Sequence, residues 1–70
     1  MSVKHLPTGS IVISPLIGEI AEIYSVINGQ ATCVKQTSLA RAVEEARALR
    51  QIAGAWVAWK TSDGEIVRYC

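Results

Sequence analysis

Seventy residues with a formal net charge of +1 and intermixed acidic and basic side chains describe one small domain. A nucleic-acid binder usually carries a basic excess and a pI above about 9, and a DNA mimic is strongly acidic, so electrostatic capture of nucleic acid is disfavoured. Half of the residues are hydrophobic, whereas a chain this short buries only about 60% of its unfolded surface. A homodimer or a protein partner is therefore expected to cover what remains.

The opening "MSVKHLPTGS" contains no apolar h-region, so no secretory signal is expected. Residues 1–9 are set aside as a flexible lead-in, with a single domain over 10–70. "SIVIS", residues 10–14, is expected to form a strand. The next stretch admits two templates. A helix from Ser14 with Pro15 at N1 would line up Leu16, Ile17, Ile20, Ile23, Tyr24 and Ile27 and stop at Gly29. Two strands around Asn28-Gly29, the strongest short hairpin signal, would pair Ile27 with Gln30, Tyr24 with Cys33 and Glu22 with Lys35. Strands are preferred, because isoleucine and valine dominate and the Glu22–Lys35 pair joins opposite charges. In that register Cys33 reads as a small buried hydrophobe.

"TSLARAVEEARALRQIAG" reads as the helix. Leu39, Ala42, Val43, Ala46, Leu49 and Ile52 or Ala53 trace one stripe. Thr37 or Ser38 is placed to cap it, and Gly54 suits the C′ position. Arg41 with Glu45, and Glu44 with Arg47, are expected to pair on its solvated face. Beyond Gly54 the apolar period becomes two. Ser62-Asp63-Gly64 suits a hairpin loop that pairs Thr61 with Glu65, Trp59 with Val67 and Val57 with Tyr69. That register separates an apolar face (Val57, Trp59, Val67, Tyr69) from a face carrying Trp56, Lys60, Ile66 and Arg68. The expected fold is α+β: an antiparallel sheet of four or five strands with one helix packed on one face, in the order β-β-(β)-α-β-β.

No catalytic, cofactor or metal motif emerges. His5 stands alone near the terminus, and Cys33 and Cys70 fit no ligand or redox spacing. Glu44 and Glu45 are helix neighbours that do not face each other, and Asp63 is explained by its turn. The longest uncharged apolar run, "IAGAWVAW", is too short to span a bilayer. The expectation is a non-enzymatic cytoplasmic protein with reduced thiols, a Cys33–Cys70 bridge remaining open. Partner binding is assigned to Trp56, Lys60, Ile66 and Arg68, because tryptophan and arginine dominate interface energies. The alternative is a homodimer that binds nucleic acid through the same face by base stacking.

"SLARAVEEA" and the closing "GAWVAWKTSDGEIVRYC" resemble a group of small phage-encoded inhibitors of CRISPR–Cas, the type I-F anti-CRISPR proteins with a curved sheet and one helix. The shared positions are Gly54, Trp56, Ala58, Trp59, Lys60, Asp63, Gly64 and Cys70. The chain departs from that group in having no strand between the helix and the last hairpin. The resemblance implies steric blocking of a CRISPR effector surface, with Lys60 and Arg68 as the polar contacts this sequence offers. The arrangement is also similar to short bacterial ββαββ domains of unknown function, whose "T-x-x-x-A-x-x-x-A" helix is approached by Thr37, Arg41-Ala42 and Ala46.

Overall fold

A computed structural model describes residues 3–70. Three strands, β1 (Ile11–Leu16), β2 (Ile20–Ile27) and β3 (Gln30–Ser38), form an antiparallel meander. A 3-10 turn, Leu39–Arg41, leads into the helix α1 (Ala42–Leu49), and β4 (Val57–Lys60) and β5 (Ile66–Arg68) close the chain. The fold is α+β with one helix and five strands, but the sheet is mixed. Its order is β3-β2-β1-β4-β5, and β4 runs parallel to β1. The expected all-antiparallel sheet is therefore corrected at one pair. The helix carries the chain back across the sheet, so β4 starts beside the start of β1 and points the same way.

The stretch 15–28 is strand rather than helix, as preferred, broken by a turn at residues 17–19. Asn28 and Gly29 sit at φ +50° and +79°, the doubly left-handed turn that twists with its flanking strands and needs small or polar residues. Ile27 opposes Gln30 and Tyr24 opposes Cys33 as expected. One step further the register slips, and Ile23 opposes Lys35 while Glu22 opposes Gln36. Val34 is thus an extra residue on β3, a bulge that moves all later side chains of the strand to the other face. The expected Glu22–Lys35 pair does not form. Lys35 and Thr37 instead face α1, where both donate to the Glu45 carboxylate. Glu45 thus pairs with the sheet; among the described residues the expected Arg41–Glu45 and Glu44–Arg47 bridges are absent.

The helix is shorter than its apolar stripe. Its regular part ends at Leu49, Arg50 turns out at ψ 109°, and Ser38 makes no side-chain cap. Ile52 leaves the stripe to lie over Gly9, and Gly54 belongs to a separate turn closed by the Ala55 amide on the Ile52 carbonyl. Ala42 and Ala46 pack on Ile11, Ile13, Ala21, Ile23 and Val57, with Leu39, Val43, Trp59 and Cys70 at the margin. Full burial of Ile13 and Ile23 stabilises the fold by roughly 1.5–3 kcal/mol each. α1 rests chiefly on β1, β2 and β4. Val67 and Tyr69, expected inside, are about half exposed, and Tyr69 sits at the margin, edge-on to Trp59 and beneath the Arg47 guanidinium of α1.

The other sheet face has its own core, built by residues set aside as a flexible lead-in. Val3 and Leu6, 1% and 4% exposed, pack with Val12, Val26 and Ala31. The Val3 amide donates to the Gly29 carbonyl at 2.7 Å, and the Gly9 amide to Val26 at 2.8 Å. From residue 3 onward this segment is a strap across the sheet and part of the domain; residues 1 and 2 lie outside the described residues.

Candidate functional site

Strand alternation sends Trp56, Lys60, Ile66 and Arg68 to the face opposite α1, with Trp59 opposing Val67 and the Thr61 amide bonded to Glu65 as the sequence required. Trp56 is held first through its backbone. Its amide donates to the Ser10 hydroxyl at 2.9 Å, and its carbonyl accepts from the Ile11 amide at 2.8 Å. Its ring is then bracketed by two side chains. The Arg68 guanidinium stacks 4.9 Å above the centroid, and the His5 ring meets it edge-on at 6.2 Å. Such a cation–ring contact contributes about 0.5–1 kcal/mol at an exposed position. Trp56 and Ile66 both pack on the core under the strap. Arg68 remains outward, and Lys60 sits directly opposite Ile66 at the end of β4. The four residues therefore lie side by side on one face, Lys60 across from Ile66 and Arg68 over Trp56.

Lys60 belongs to a cleft that sequence reading did not locate. Beyond the Ile13–Trp59 pair, β1 and β4 splay apart and open a space of about 550 Å³ lined by Ser14, Pro15, Leu16, Trp59, Lys60, Thr61 and Ser62. Pro15 explains the opening. The Ile11 amide points toward β4, and alternation gives the same direction to residues 13 and 15. Proline has no amide hydrogen, so the parallel ladder has no donor with which to continue. A proline inside a β-branched run was the signal available for this site.

Toward the other edge, the Tyr24 hydroxyl donates to Glu22 at 3.0 Å, and the Cys33 thiol lies 3.9 Å from the second Glu22 oxygen. Glu22, as hydrogen-bond acceptor, raises the Tyr24 pKa above its ordinary value, with burial adding in the same direction. That shift keeps the phenol protonated and suits anchoring. Cys33, expected inside, is exposed on the edge strand β3. Neither cysteine is in a disulfide. Among the described residues no three His, Cys, Asp or Glu side chains come together in a metal-binding arrangement, and no helix is long and apolar enough to cross a membrane.

No family model, curated protein or solved structure matches this chain.

Proposed function

We propose that the chain is a small non-enzymatic protein-binding domain that works in the cytoplasm by steric occlusion of a partner. Arg68 stacked on Trp56 is the observation that carries this reading. Stacking restrains a long guanidinium while leaving its donors directed outward, so less conformational entropy is lost when a partner carboxylate or carbonyl engages it. The strap and the Ser10 bond hold the tryptophan beneath it, making the contact surface rigid before binding. The partner class suggested by the anti-CRISPR resemblance is a protein of a type I-F CRISPR effector, and the biological role would be that of a phage or mobile-element inhibitor.

The test is a phage challenge of a bacterium that carries an active type I-F system and expresses the chain. Plaques should return with the wild-type protein and fall with Arg68→Glu, whose fold is checked by circular dichroism. Wild-type protein that captures the effector but is indifferent to Arg68→Glu and Lys60→Glu would refute the face. Absence of both capture and plaque rescue would refute the partner class. Binding of a labelled oligonucleotide that weakens steeply with salt would instead favour nucleic-acid recognition through the same cations.

A further inference from the structure

The tip of the β1–β2 hairpin contradicts ordinary turn chemistry. The turn Ile17-Gly18-Glu19 runs through two left-handed residues, Gly18 at φ +86° and Glu19 at +60°. Its leading residue is an isoleucine that is 99% exposed, flanked by the exposed Leu16 and Ile20. Hairpin tips are normally polar or glycine-rich, since a β-branched side chain gains nothing there from water. Ile17 contributes to neither core cluster, so the folding of one chain gives no reason for it.

Directly beside this protrusion is the cleft that Pro15 opens, and Leu16 belongs to both. Three of the seven residues of the cleft wall are apolar (Pro15, Leu16, Trp59), and Lys60 stands among the polar ones. Among the described residues neither Lys60 nor Glu19 is in an ion pair. One molecule therefore presents, side by side, an apolar knob followed by a carboxylate and an apolar recess bordered by an ammonium. A patch with a knob next to its own matching recess is self-complementary under a two-fold rotation, which brings each knob to the other copy's recess.

We propose that the chain forms a two-fold symmetric dimer in which Ile17 of each copy enters the β1/β4 cleft of the other and Glu19 meets the other copy's Lys60. Ile17 covers the Trp59 and Leu16 walls, and the two tips cover each other's Leu16 and Ile20. Each contact occurs twice, so a single substitution acts at both. Trp56 lies past the opposite end of β4, roughly 13 Å from Lys60 at about 3.3 Å per residue, and with Arg68 stacked on it remains accessible to a partner. This dimer does not depend on the occlusion reading.

Sedimentation equilibrium over a concentration series tests it. The wild-type chain is expected to move from monomer to dimer, and Ile17→Asp to weaken the dimer at least tenfold while leaving the circular dichroism unchanged. Glu19→Lys alone and Lys60→Glu alone should each be more monomeric than wild type, because each juxtaposes like charges. Mixed together, the two variants should associate again, since both contacts of the mixed dimer regain opposite charges. A chain that is still monomeric near 1 mM, where association would be worth only about 4 kcal/mol, overturns the proposal. A dimer that is unaffected by Ile17→Asp, or single-charge variants that do not recover on mixing, places the interface elsewhere and overturns it equally.

Discussion

Lys35 on the sheet edge donates its ammonium hydrogen to Glu45 on the helix, joining two elements that share little apolar contact. The Val34 bulge makes this possible by turning Lys35 to the helix side. Lys35 first, then Thr37, stabilises the ionised carboxylate and holds the Glu45 pKa below the usual glutamate value. A carboxylate with a depressed folded-state pKa contributes stability that is present above its unfolded pKa of about 4.3 and lost as pH falls through the lower folded value. The melting temperature of the wild type should exceed that of Glu45→Gln at neutral pH, and the gap should close on acidification below about pH 4. Salt should shrink the same gap, because Lys35 is partly solvated. A gap that persists unchanged to pH 2 would mean the pair is not responsible.

The strap makes a separate prediction. Leu6 is buried against the second core, so Leu6→Ala should cost about 2–4 kcal/mol in urea unfolding. Ile17→Ala, at a position without core contacts, should stay within about 0.5 kcal/mol of wild type when both are unfolded as dilute monomers. Equal and negligible effects at both positions would return residues 3–9 to the status of a loose tail.

Ser10 is fully buried, and its hydroxyl accepts from the Trp56 amide. Ser10→Ala leaves that amide without an acceptor, at a cost of about 1–3 kcal/mol. It should also loosen Trp56 against β1 and shift its fluorescence, while Trp59, held against the helix side, stays constant. Recording the spectra in a Trp59→Phe background isolates the signal. An unchanged spectrum and midpoint would show that water replaces the hydroxyl without loss.

The two thiols should react unequally. Cys33 is exposed on the edge strand, whereas Cys70 is half-buried against the helix-side core with Arg50 Nη1 3.7 Å from its sulfur. A disulfide reagent applied to native protein should label Cys33 in a fast phase and Cys70 in a slower one. Denaturant should merge the phases. A single native phase would contradict this difference in burial.

These contrasts also locate the limit of what the sequence made legible. Asn28-Gly29 and Ser62-Asp63-Gly64 were readable because left-handed turns accept few residue types, so composition and geometry are tied locally. The β4–β5 register was readable because alternation separates apolar from polar side chains. The direction of β4 was not, since Val57 and Trp59 present the same alternation to a parallel or an antiparallel neighbour. Nor was the bulge, because Val34 fits a strand equally well whether it is paired or extra. Val3 and Leu6 lack any period, and only their burial in three dimensions shows what they do. At the candidate site, the shared face of Trp56, Lys60, Ile66 and Arg68 followed from alternation. The strap against Trp56 and the cleft beside Lys60 were not legible, because they depend on long-range packing of His5, Leu6 and Pro15.

The parallel pairing of β1 with β4 also bears on how the chain is made. Ser10 and Trp56 touch although they are 46 positions apart. During synthesis β1, β2 and β3 can fold as a local meander, while one flank of β1 waits with its donors and acceptors open until β4 leaves the ribosome. Local contacts form quickly and distant pairings slowly. For that interval the central strand of the finished sheet is an edge, offering a nascent neighbour the same ladder that β4 will later occupy. Crowded expression should therefore favour strand exchange between unfinished chains, and slowing translation after residue 60 should not relieve it, because β4 would still lie inside the exit tunnel.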